Sequence, residues 1–105
     1  MSWEVVYLKE AVKDLEALDH SQQVIVLKAI NKTAVNPLPD SEGGYGKPLG
    51  NHASSKLSGY LKIKLKKQGL RIVYGLIREK EKMKIIVISV RDDKTVYKKA
   101  QDRID

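Results

Sequence analysis

Residues 60–74, Tyr60-Leu61-Lys62-Ile63-Lys64-Leu65-Lys66-Lys67-Gln68-Gly69-Leu70-Arg71-Ile72-Val73-Tyr74, decide how this chain folds. Successive side chains of an extended strand leave opposite faces. Leu61, Ile63 and Leu65 therefore share one side, and Tyr60, Lys62, Lys64 and Lys66 the other. After a turn at Lys67-Gln68-Gly69, the residues Leu70, Ile72, Tyr74 and Leu76 form a second apolar set, with Arg71, Val73, Gly75 and Ile77 opposite. Matching the two apolar sets fixes the register, because a slip of one residue would bury the charges. Leu65 then faces Leu70, Ile63 faces Ile72, Leu61 faces Tyr74, and Lys64 lies across from Arg71.

Working outward, a third strand is predicted over Lys82 to Arg91, after a turn at Glu79-Lys80-Glu81. With Leu57 to Lys66 and Leu70 to Arg78 it makes an antiparallel meander. Trp3 to Leu8 reads as a strand. Lys9 to Leu18 places Ala11, Leu15 and Leu18 on one helical face, and a second helix runs from a cap at Asp19, with Gln22 three residues on, to about Val35. Pro37, Pro39, Gly43, Gly44, Gly46, Pro48 and Gly50 then mark a loop of about twenty residues, a length at which loops are often functional. Asp93 is placed to cap a short terminal helix striped by Val96, Ala100 and Ile104. The expected architecture is one α+β domain over residues 1–105: an N-terminal strand, two antiparallel helices on one face of a four-stranded antiparallel sheet (β-α-α-β-β-β), and a short C-terminal helix.

Composition narrows the chemistry. The 105 residues contain no cysteine and two histidines, so disulfides, a thiol nucleophile and a His- or Cys-built metal site are not expected, and no cofactor is implied. No apolar stretch reaches the roughly 18 residues of a membrane span, and Met1-Ser2-Trp3-Glu4 does not begin a signal peptide, so a cytoplasmic protein without a membrane partner is expected. The formal charge is +7, unevenly spread. Residues 1–55 hold five lysines against seven acids, a net of −2, and residues 56–105 hold eleven lysines and four arginines against six acids, a net of +9. A polyanionic partner fits this asymmetry, and so does a solvated charged face.

Lys62, Lys64, Lys66 and Arg71 would stand together on the outer face of the hairpin. Like charges opposed across a hairpin cost about 0.2–1 kcal/mol, which an anion would relieve; an exposed strand kept soluble by lysines would show the same alternation. The third strand delivers Arg91 to the sheet rim, where it can pair with Asp92 or Asp93 or join a site, and Tyr97 follows six residues on, either packing beside Val96 or sharing that site. His52 reads as an exposed loop residue.

The segments Tyr60-Leu61-Lys62-Ile63-Lys64-Leu65, Gly69-Leu70-Arg71-Ile72-Val73-Tyr74, Val87-Ile88-Ser89-Val90-Arg91 and Val96-Tyr97-Lys98-Lys99-Ala100 together resemble the RelE branch of the RelE/ParE toxin superfamily. The order of elements fits that branch along nearly the whole chain. The resemblance implies the toxin of a type II toxin–antitoxin pair: an endoribonuclease that cuts mRNA in the ribosomal A site without a metal, using the RNA 2′-hydroxyl as nucleophile. Its partners would be an antitoxin, the ribosome and mRNA. The family's catalytic positions fall on Lys62, Lys64, Arg71, Arg91 and Tyr97, with Lys56, Lys66, Lys67, Lys94 and Lys98 as RNA-binding residues. Some relatives insert a Gly-Lys pair before the arginine that Arg91 matches; here Arg91 follows Ser89-Val90 directly, and Lys94 is the alternative to it. A lysine among cations has its pKa lowered, which makes Lys62 or Lys64 the candidate general base. Arg71 and Arg91 would stabilise phosphate charge, and Tyr97 would stack on a base or orient the 2′-hydroxyl. The rivals are a ParE-like inhibitor of DNA gyrase, which requires no cationic active site, and a non-catalytic nucleic-acid-binding module.

Overall fold

A computed structural model of the chain describes residues 2–49, 57–90 and 93–104, for 93 and 94 the backbone only. The elements run β1 (Glu4–Tyr7), α1 (Lys9–Glu16), α2 (His20–Ala34), β2 (Lys47–Pro48), β3 (Leu61–Leu65), β4 (Leu70–Ile77), β5 (Lys82–Val90) and α3 (Asp93–Ile104). The hairpin of β3 and β4 has the register that the apolar pattern dictates, with Leu65 across from Leu70, Ile63 from Ile72, Leu61 from Tyr74 and Lys64 from Arg71. Gly69 turns the chain at φ 66°, a left-handed conformation that glycine adopts without a Cβ clash. Asp19 caps α2, its carboxylate accepting from the Gln22 amide at 2.8 Å.

The sheet differs from the expected one in two ways. It has five strands in the order β1-β5-β4-β3-β2, and β1 lies parallel to β5, so the sheet is mixed rather than antiparallel. The two-helix crossover explains the parallel pairing, because it carries the chain back across the sheet before the meander begins. The extra strand comes from the proline- and glycine-rich stretch, which does not run as a plain loop: it holds a 3-10 turn at Asp40–Glu42, a Pro39–Gly46 bridge and β2, which pairs with β3 at Lys62 and Leu61. The first meander strand is also shorter than expected, because Leu57–Tyr60 closes in a turn with Gly59 at φ 86°.

Two cores lie on the two faces of this sheet. Leu61, Ile72, Tyr74, Met83, Ile85 and Ile88 pack against Ala11 of α1 and Val26, Ile30 and Ala34 of α2. On the other face Val73, Ile86 and Val87 pack against Val96, Tyr97 and Ala100 of α3, with Leu49 and Leu57. The pairing of β4 with β5 shifts between Val73, opposite Val87, and Tyr74, opposite Ile85, so Ile86 is the extra residue of a bulge. The bulge is what lets two neighbours, Ile86 and Val87, serve the same core. The face expected to be open and cationic is therefore half covered. The stripe of Val96, Ala100 and Ile104 is what covers it.

Where β1 ends, β5 runs on and presents an edge. Side chains meet it there in place of a strand: the Ile88 amide donates to Asp14 Oδ2 at 3.0 Å, and Arg103 Nη1 donates to the Ile86 carbonyl at 2.9 Å. Arg103 also holds Asp14 through both oxygens, at 2.6 and 3.1 Å, in a pair that is 16% exposed on each side. This ties α1 to α3 across the sheet rim.

Candidate active site

Lys64 and Arg71 stand at the uncovered end of the α3 face, supplied by β3 and β4, and Lys62 joins them from the border of the part that α3 covers. Lys62 and Lys64 are two residues apart on one strand, roughly 7 Å along it, and Arg71 is the cross-strand partner of Lys64. The three differ in surroundings. Lys62 is buried, at 9% exposure, while Lys64 and Arg71 are half-buried.

Burial of an ammonium group requires a polar partner, and Lys62 has one: its Nζ donates to Tyr97 Oη at 3.1 Å. Tyr97 Oη in turn donates to the Leu49 carbonyl at 2.9 Å. Lys62 Nζ stands 5.9 Å from the ring centroid, end-on at the hydroxyl rather than over the ring face, so the contact is a hydrogen bond and not a cation–π stack. Tyr97 itself is 5% exposed. In this arrangement its ring offers no open face to a base; its hydroxyl fixes the Lys62 ammonium and pins the Leu49 end of the loop.

Lys64 has its pKa lowered, first by the charge of Lys62, then by Arg71, then by partial desolvation, Lys47 and Lys66. Lysines near a polyanion are ordinary; one whose neighbours push it toward the neutral amine is equipped to take a proton.

Lys66 and Lys67 are exposed in the turn after β3, and Lys98 is exposed on α3 next to Tyr97. Arg91, Lys56 and His52 lie outside the described residues, as does the side chain of Lys94. Sequence reasoning missed three residues. Lys47 of β2 pairs with Lys62, and Lys32 of α2 and Tyr45 approach the same edge of β3, where all three line a groove with Lys64 and Lys66. None of the three stands out locally, since their meeting depends on how the loop folds back against α2 and β3. Among the described residues no group of three His, Asp or Glu side chains comes together as a metal site, and no helix is long and apolar enough to cross a membrane.

No family model matches the chain. A putative RelE-like toxin protein of Escherichia coli is 28% identical over 107 residues, covering 99% of each chain. Among solved structures, a mutant E. coli RelE toxin in the free state superposes with a TM-score of 0.76 at 22% identity, covering 100% of both chains. The RelBE2 toxin–antitoxin complex of Mycobacterium tuberculosis gives 0.68 at 19% identity, covering 88% of this chain and 95% of that one. Two helices against one face of a mixed sheet, with a third helix on the other, is thus a fold that the chain shares with these RelE toxins. The chain is similar to a RelE-like toxin over its full length and shares the fold of solved RelE toxins.

Proposed function

We propose that this chain is the toxin of a type II toxin–antitoxin pair and acts as a ribosome-dependent endoribonuclease. The observation that carries the reading is the convergence of Lys62, Lys64 and Arg71 on one patch, with the Lys64 pKa lowered by its neighbours. In the reaction proposed, neutral Lys64 takes the proton of an RNA 2′-hydroxyl and the 2′-oxygen attacks the adjacent phosphorus. Arg71 and Arg91 stabilise the charge that builds on the non-bridging oxygens. The bond to the 5′-oxygen breaks, leaving a 2′,3′-cyclic phosphate, and the departing oxygen takes its proton from the lysine cluster. Lys62, held by Tyr97, keeps the patch positive throughout and so keeps Lys64 a usable base. Lys56, Lys66, Lys67, Lys94 and Lys98 attract the RNA backbone.

The antitoxin partner rests on the likeness to toxins solved with one, such as the M. tuberculosis RelBE2 complex. The test is primer extension on mRNA from a reconstituted translation reaction, with naked mRNA as control. Cuts within A-site codons that need ribosomes are expected, reduced at least about a hundredfold by Lys64→Ala and Arg71→Ala. Full activity in both Arg71→Lys and Arg91→Lys would mean that charge alone matters and that the catalytic roles given to these arginines are wrong. Intact mRNA throughout, with growth arrest retained, would turn the reading toward gyrase inhibition.

A further inference from the structure

The groove beside the candidate catalytic patch is not explained by the chemistry above. It runs between α2 and the outer edge of β3, has a volume of about 460 Å³, and falls within the roughly 300–1,000 Å³ of small-ligand sites. Among the described residues, strand pairing on this side of β3 stops at Lys62, which pairs with Lys47, so the edge from Ile63 to Leu65 is the groove's wall. Six lysines line the groove and no acid does, although the first 55 residues, which supply Lys32 and Lys47, are net acidic.

Tyr45 is the one aromatic residue in that lining and it is 54% exposed, against 5% for Tyr97. Lys32 Nζ lies 5.9 Å from its ring centroid, so a flat apolar surface and an ammonium are presented side by side. The platform is built rather than incidental. The Tyr45 amide donates to the Asn36 carbonyl at 2.9 Å, and the buried Tyr74 hydroxyl donates to the Pro37 carbonyl at 2.8 Å. Gly44 lets the loop close, since a Cβ there would sit 2.0 Å from the Leu38 carbonyl oxygen.

We propose that this groove binds the nucleotide of single-stranded RNA that flanks the scissile phosphate, with Tyr45 stacking on its base and Lys32 and Lys47 holding its phosphates. The inference rests on the nuclease reading for the position of the scissile phosphate. Stacking on an exposed tyrosine together with backbone neutralisation by lysines is the general chemistry of single-strand recognition. Tyr45 thereby takes the base-stacking role that the buried ring of Tyr97 does not offer.

The test uses the full chain and a labelled 2′-O-methyl RNA trinucleotide, which lacks the attacking hydroxyl and cannot be cut. Affinity is read by fluorescence anisotropy and the site by NMR. Resonances of Tyr45 and Lys32 should shift, and Tyr45→Ala should weaken binding about tenfold, while Tyr45→Trp binds at least as well as the intact protein. Unfolding midpoints measured for each variant separate loss of the platform from loss of the fold. Unchanged affinity in Tyr45→Ala, or shifts confined to other surfaces, would overturn the proposal. So would an acidic peptide that shifts the groove resonances where RNA does not, because the groove would then belong to a protein partner. Parallel mRNA cleavage assays keep the two readings apart: groove binding without ribosomal cleavage removes the nuclease reading, and with it the scissile phosphate, but leaves Tyr45 as a single-strand stacking site, whereas cleavage with no role for Tyr45 removes this proposal alone.

Discussion

The end of the sheet that carries Val73, Ile86 and Val87 and the end that carries Lys64 and Arg71 belong to the same face of neighbouring strands, with the buried Lys62 at their border, yet one end is sealed and the other is not. The sealed end is apolar and lies under α3. The open end is cationic and depends on the sealed one, because the residue that steadies Lys62 is Tyr97, part of the α3 core. A helix docked by hydrophobic burial thus sets where the Lys62 ammonium sits within a charged cluster whose other members are placed by strand pairing. Stability of α3 and function of the patch should be separable by mutation only where the mutation spares the Tyr97 link.

Breaking the sealed end at its rim should give the largest effect. Arg103→Ala leaves Asp14 without its ion pair and the Ile86 carbonyl without its donor, both in a poorly solvated place. A loss of about 2–4 kcal/mol is expected from the urea unfolding midpoint. Cleavage should fall as well, since α3 carries Tyr97. Asp14→Ala should cost a similar amount by freeing the Ile88 amide, and the double variant should cost less than the two single losses added together. Strict additivity would mean that the two side chains hold the rim independently and that the bridge between α1 and α3 is not the stabilising unit.

The open end has its own support from the helix-pair side. Tyr74 is fully buried, burial raises its pKa, and its hydroxyl satisfies the Pro37 carbonyl. Tyr74→Phe keeps the packing and removes that bond, at an expected cost of about 1–2 kcal/mol. Amide exchange should rise in residues 36–46 far more than in α3. Equal loosening of both regions would show that the groove wall and the sealed end are not independent.

The contrast between the two ends also marks what could be read beforehand. The hairpin register was legible because it rests on strict alternation, and that alternation alone sets Lys64 across from Arg71. The cover over Val73 was half legible: an apolar Val73 on a cationic face, and a stripe of Val96, Ala100 and Ile104 on the last helix, each need a partner, and they find each other. The parallel β1–β5 pairing and the bulge at Ile86 were not, since near-continuous apolar runs such as Met83 to Val90 carry no face information. Asp14 gave a faint signal, as a carboxylate beside the apolar stripe of Ala11 and Leu15. Lys32, Tyr45 and Lys47 gave none, because their meeting depends on the loop's closure under Tyr74. The catalytic assignment leaned on family resemblance, and Arg91 lies outside the described residues.

The smallest expected effect sharpens the open end itself. Neighbouring charges disfavour the Lys64 ammonium, so its folded-state pKa lies below the unfolded value. Between those two values the unfolded chain binds more protons, and stability should rise with pH across that window. Following the Lys64 ε-methylene resonances through a pH titration of the free protein should therefore place its midpoint below those of lysines remote from the patch. Removing each charge in turn ranks the causes: Lys62→Met should raise the midpoint most, Lys47→Gln less, and Lys66→Gln least. Added salt should act in the same upward direction by screening all of them. If the midpoint holds still in all three variants, crowding by cations does not tune Lys64, and its place as general base in the proposed reaction is lost.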